Sequence, residues 1–217
     1  MRQHDETEKL KTGTTTVGIL CKDAVVLAAD MRATAGTLIV DKKISKVVPI
    51  TDAIAVTTSG SVSDLQLLIK YLKAELKLRE IRASRPNTVK EAAHLLSAWV
   101  YSLLRSNYGV CHFVLGGYDK QAEVYDIFPD GSLTPVKDYV ASGSGSIVAY
   151  GVLEDAYKEG LSADEGVKLA TRALNAALQR DSASGNGINV FVIDKDGMRK
   201  VLTKELNTSL LTNTPAK

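Results

Sequence analysis

The sequence has little of what marks several functional classes. Its two cysteines, Cys21 and Cys111, lie ninety positions apart, each in or beside an apolar segment. They therefore read as reduced core thiols of an intracellular protein rather than as a disulfide framework. The three histidines (His4, His94 and His112) form no cluster with the cysteines or with one another. No metal-ligand spacing results, and neither a metal nor a cofactor is expected. Charge of one sign is not in excess: the net charge is +2, with Lys and Arg spread along the chain. This argues against a nucleic-acid surface, which needs clustered basic residues. No apolar run reaches the length of a membrane span. Residues 1–13 hold no apolar h-region and do not read as a signal peptide. Internal repeats, low-complexity segments and a GxxxxGK[ST] phosphate loop are also missing.

What remains is a 217-residue chain with 45% hydrophobic and 24% charged residues, suited to one compact domain. A polar leader covers residues 1–12. Strand-like text begins at Thr14 with TTTVGILC, followed by AVVLAAD (24–30) across a Lys22-Asp23 turn. KISKVVPIT (43–51) and AIAVTTSG (53–60) follow, rich in Val, Ile and Thr. Several of these runs are almost continuously apolar, which predicts a sheet covered on both faces. The period then changes. Ser61-Val-Ser-Asp64 and Thr88-Val-Lys-Glu91 read as capping boxes opening two long helices. Strands return at 112–118, 122–128, 133–136 and 139–141. Helices are expected at 147–158 and, behind the Ser162-Ala-Asp-Glu165 box, to about Arg180. Two last strands begin at Ile188 and Met198. Paired helices between blocks of hairpin-linked strands are not the alternation of a doubly wound fold. They predict an α+β protein: a four-layer αββα sandwich, two sheets face to face with a helical pair over each outer face.

The chemistry starts at Gly13-Thr14. A threonine hydroxyl is a poor nucleophile until a base takes its proton. Cleavage between Gly13 and Thr14 would give Thr14 a free α-amine, which titrates near pH 7.7–8.0 in reference peptides. One residue then supplies nucleophile and base, and the leader keeps the amine silent until it is removed. The alternative is that TTT only opens an edge strand. Lys46, within the mainly apolar KISKVVPI, is either a snorkelling edge residue or an inward cation needing a partner, for which Asp30 is the nearest candidate. An inward cation would keep the Thr14 amine neutral and stabilise the developing alkoxide. Gly60 stands at a strand-to-helix junction, where a backbone N–H suits a tetrahedral oxyanion, or where glycine serves only a tight turn. SGSGS (142–146) and DSASG (181–185) flank helices, and their serines with Asp181 can organise a proton-transfer site or serve structure alone.

Together GTTTVGI, AADMRAT, KISKV, TTSGSVSD, the GSGS loop with YGVLED behind it, and QRDSASG resemble the β-type subunits of the proteasome core particle, in the archaeal style, over essentially the whole chain. That family consists of N-terminal nucleophile hydrolases with the αββα sandwich. The resemblance implies a propeptide of residues 1–13, removed autocatalytically at Gly13-Thr14, and a single catalytic domain of residues 14–217. It implies Thr14 as the nucleophile and its freed amine as the base. Asp30 and Lys46 match the charged pair, Gly60 the oxyanion donor, Ser144 the supporting serine, and Asp181 with Ser184 the pair that helps hold the amine. The backbones of Thr34 and Gly60 are placed against an extended substrate. Ala33, Ile44, Thr58 and Val62 line the first specificity pocket, whose apolar character suggests cleavage after hydrophobic residues. The implied partners are α-type subunits, other β subunits in a seven-membered ring, unfolded polypeptide as substrate, and a regulatory ATPase acting through the α ring. A cytoplasmic location follows, with no membrane and no nucleic-acid partner. The competing readings are a non-catalytic subunit that shapes the ring, one that needs a partner β subunit to mature, and a small-molecule amidase with the same type of nucleophile.

Overall fold

The computed structural model describes residues 13–105 and 110–206; the polar leader up to residue 12 and the tail after 206 lie outside these. In chain order the elements are β1 (Thr16–Leu20), β2 (Ala24–Asp30), β3 (Ala33–Ala35), β4 (Leu38–Asp41), β5 (Val47–Pro49), β6 (Ile54–Gly60), α1 (Val62–Ala83) and α2 (Val89–Arg105). There follow β7 (Cys111–Tyr118), β8 (Ala122–Ile127), β9 (Leu133–Val136), β10 (Tyr139–Ser142), α3 (Ser146–Ala156), α4 (Ala163–Arg180), β11 (Gly187–Asp194) and β12 (Gly197–Glu205). Two five-stranded antiparallel sheets form, ordered β10-β1-β2-β11-β12 and β5-β6-β7-β8-β9.

β2 shows why the sheets are covered twice. Its residues AVVLAAD are buried throughout, and successive side chains point to opposite faces. Ala24, Val26 and Ala28 join one cluster with Leu153 of α3 and Leu169, Ala173 and Leu174 of α4. Val25, Leu27 and Ala29 turn the other way and meet Val47, Ala55 and Val114 of the second sheet. A third cluster fills the space between that second sheet and the first helical pair, with Leu68, Leu72 and Leu76 of α1 against Leu96 of α2 and Phe113 of β7. Three apolar layers separate four structural ones, which is the expected αββα order. The helices obey the same logic. On α4 the buried residues Leu169, Ala170, Ala173, Leu174 and Ala177 recur at helical spacing.

Thr88 and Ser162 act as the N-terminal caps the sequence predicts, each exchanging hydrogen bonds with the glutamate three residues on. Ser61 does not. It occupies the cap position of α1, but its side chain makes no capping bond and its hydroxyl lies 3.4 Å from that of Ser63. The β3–β4 hairpin was not expected. It is short, all of β4 is exposed, and its register shifts between Ala33 and Thr34, so it carries no buried alternation to read. Both cysteines are buried free thiols. Among the described residues no helix is long and apolar enough to cross a membrane, and no group of His, Cys, Asp and Glu is placed to hold a metal ion.

Candidate active site

The site lies at one end of the sandwich, where both sheets contribute. Thr14 precedes β1, Asp30 ends β2, Asp181 and Ser184 follow α4, and Ser144 lies between β10 and α3. From the second sheet come Lys46, one residue before β5, and Gly60, the last residue of β6. Lys46 therefore does not sit inside a strand, as the apolar run around it suggests. It leaves the loop before β5 and turns inward, 4% exposed. Its carbonyl is held by both the N–H and the hydroxyl of Thr58, at 3.0 and 3.2 Å. The Thr57 hydroxyl crosses to that of Thr16 at 3.0 Å, a polar tie between the sheets just beneath the site.

Asp30 has no solvent exposure, and both its oxygens are occupied. Oδ1 accepts from Lys46 Nζ at 2.6 Å and from the Thr15 N–H at 3.0 Å. Oδ2 accepts from the N–H groups of Arg32 and Gly185, at 3.0 and 2.9 Å. One cation and three backbone donors thus satisfy this buried carboxylate. Its partner is held differently. Burial lowers the Lys46 pKa below the ordinary lysine value, loss of water outweighing the attraction of Asp30.

A second network runs under the Thr14 nitrogen. The Thr14 N–H donates to Ser144 Oγ at 3.2 Å. Ser144 and Ser184 both donate to Asp181 Oδ2, each at 2.6 Å, and the Ser184 hydroxyl meets that of Thr15 at 2.7 Å. Asp181 is the C-cap of α4, its N–H closing on Ala177, so a helix end sets its position. Thr15 belongs to this constellation although sequence reasoning missed it. Its hydroxyl reaches the second network and its N–H the first, with its side chain fully buried. The available signal was the Thr14-Thr15-Thr16 run, which must send consecutive hydroxyls to opposite sides of an extended chain.

Thr14 Oγ1 donates to the Gly13 carbonyl oxygen at 2.6 Å. Glycine is required before it by space: a Cβ on Gly13 would lie 1.8 Å from the Cβ of Ala183. Gly60 is required by conformation, with φ at +120°. A Cβ there would also lie 2.0 Å from the Val110 carbonyl oxygen.

A cavity of about 400 Å³ opens beside Thr14. All five residues expected to contact substrate line it: Ala33, Thr34, Ile44, Thr58 and Val62, with Gly60 and Lys46. Its far wall was not anticipated. Leu65 and Ile69 of α1 extend the apolar surface, and Lys70 and Lys73 mark its rim. Positions 62, 65, 66, 69, 70 and 73 share one face of α1, a spacing that in sequence reads as core alone.

Two sheets enclosed by two helical pairs, with a threonine ahead of the first strand at the open end, define the N-terminal nucleophile hydrolase fold. Comparison with known proteins narrows the class. A family model described as "Proteasome subunit" matches residues 10–193, and the chain belongs to that family. It is similar to a "Proteasome subunit beta" of Archaeoglobus profundus, 45% identical over 204 residues that cover 94% of each chain. It is also similar to a "Proteasome subunit beta" of Methanocaldococcus jannaschii, 42% identical over 200 residues, 91% of this chain and 89% of that one. The "Proteasome subunit beta 1" of Thermococcus kodakarensis is 42% identical over 207 residues, 94% of this chain and 99% of its own.

Proposed function

We propose that this chain is a threonine-type endopeptidase subunit of a proteasome core, made as a precursor that cuts its own Gly13-Thr14 bond. One observation carries the reading: the Thr14 hydroxyl rests on the carbonyl of the bond it would break, 2.6 Å from the oxygen. In self-cleavage Oγ turns onto the Gly13 carbonyl carbon. The Oγ–C bond forms, the C–N bond breaks, and the hydroxyl proton ends on the Thr14 nitrogen. Water then hydrolyses the ester, releasing residues 1–13 with a terminal carboxylate and restoring the hydroxyl.

The freed amine sits where the Thr14 N–H already meets Ser144. There it takes the proton of its own hydroxyl as a substrate carbonyl is attacked, in the manner of a threonine paired with its N-terminal amine. Lys46 faces the same cavity as Thr14, and its charge holds that amine neutral. Asp181 and Ser184, through Ser144, fix the amine's orientation. The Gly60 N–H is the donor assigned to the oxyanion. The apolar walls of Ala33, Ile44, Val62 and Leu65 favour a hydrophobic residue on the acyl side of the cut. Assembly with α-type subunits and further β subunits in a ring, action on unfolded polypeptide, and supply by an ATPase through the α ring complete the reading, in the cytoplasm.

The test is Thr14→Ala. Intact mass of the native chain assembled with α-type subunits should fall by residues 1–13, and a fluorogenic peptide ending in a hydrophobic residue should be cut. The variant should keep its full mass and cut nothing, with an unchanged circular dichroism spectrum. A native chain that retains its full mass in that assembly shifts the reading to a shaping subunit or to one matured by a different β partner.

A further inference from the structure

Cleavage within a chain depends on where the attacked carbonyl is held, and Gly13 is the residue with the widest conformational choice. Three contacts remove that choice. The Ala183 methyl closes the space over its Cα. The Thr14 hydroxyl holds its oxygen. The third contact is the Gly13 N–H, which donates to Thr34 Oγ1 at 3.1 Å in a buried bond spanning 21 residues. Thr34 is the middle residue of β3 and is 6% exposed. Among the described residues its hydroxyl makes no other hydrogen bond. The peptide-binding role implied for this residue uses its backbone. The hydroxyl is a separate group with a separate partner.

We propose that the Thr34 hydroxyl is a positioning group for self-cleavage, anchoring the Gly13 N–H so that the Gly13 carbonyl presents its carbon to Thr14 Oγ1. The hydroxyl contributes no atom to the reaction; Oγ–C formation, C–N cleavage and proton transfer to nitrogen proceed as above. Its effect is geometric, and small displacements of a reacting group cost large factors in rate. The inference rests on the self-processing reading.

The experiment is a time course of the loss of residues 1–13, by intact mass, after mixing the full chain with its α-type subunits. Thr34→Val keeps the side-chain shape and deletes the acceptor. Thr34→Ser keeps the acceptor and deletes a methyl. Loss of one hydrogen bond should slow Thr34→Val about tenfold. Thr34→Ser should process within about twofold of the native rate, a rescue that a packing role does not give. Thermal unfolding of both substitutions in a Thr14→Ala background, where nothing is cut, should give matching midpoints. Processing of Thr34→Val at the native rate overturns the inference, as does equal slowing of both variants with lowered midpoints. In either case a native chain that still matures leaves the parent reading standing. A native chain that never matures removes both.

Discussion

Asp30 and Lys46 illustrate how much a single buried pair can decide. With its carboxylate fully enclosed and bonded to three N–H groups besides the ammonium, Asp30 cannot follow its partner out to solvent. Lys46→Ala should therefore cost about 3–5 kcal/mol of stability, because it strands a buried charge. It should also abolish processing and peptide cleavage almost as completely as Thr14→Ala. Full activity in that variant, measured by mass and by peptide hydrolysis, would falsify the charged-pair mechanism. The two thiols make the opposite case. Burial raises both Cys21 and Cys111 to about 12, so at pH 8 neither supplies thiolate. Native protein should resist iodoacetamide over hours and take up two labels only when unfolded, as counted by mass. Fast labelling at pH 8 would contradict the structural placement of both. At this scale the sequence was legible where a residue type clashes with its surroundings, as a lysine does in KISKVVPI. Thr15 stayed hidden because a threonine at a strand entrance clashes with nothing.

Each helix start tests what a cap contributes. Glu91 accepts from the Thr88 N–H at 2.8 Å and pairs with Arg85 at 2.6 Å. Hydrogen bonds from Arg85, then from the Thr88 backbone, lower its pKa from 4.5 to about 2. A carboxyl whose folded pKa is depressed stabilises above its unfolded pKa and loses that contribution as pH falls through the folded one. The gap in unfolding midpoint between native protein and Glu91→Gln should thus be widest above about pH 4.5 and close towards about pH 2. A gap constant across that window would mean the carboxylate does not work through its charge. Elements were legible in the sequence to the extent that they bury a face. α4, with its stripe and its box, and β2, apolar throughout, lie within a residue or two of where their patterns put them. The β3–β4 hairpin, whose Leu38 and Val40 are 66% and 58% exposed, lacks that signature, and Ser61-Val-Ser-Asp64 carries the letters of a box although the Ser61 side chain makes no capping bond.

The whole molecule is a device for bringing two sheets close enough to share one site. Gly116 of β7 allows it: a Cβ there would lie 2.6 Å from Val25 Cγ1 and 3.2 Å from Leu27 Cδ2, both in β2. Gly116→Val should cost about 1–3 kcal/mol by overpacking. Because Thr14 leads into one sheet and Asp30 ends a strand of it, while Lys46 leads into the other, on the proposed reading it should also slow maturation in a chain that still folds. Undiminished maturation in the destabilised variant would show that the site tolerates a shift between the layers. The four-layer order was legible from helix pairing alone, whereas the depth to which the sheets interlock depends on which glycines face each other and is visible only in three dimensions. The steric rule at Gly13 has a practical reach. The space against Ala183 excludes any side chain at position 13, while nothing in that contact concerns what lies further upstream. On the proposed reading, a purification tag or reporter domain fused ahead of residue 13 would be shed by the protein itself on assembly, leaving no scar, provided the fusion still ends in glycine.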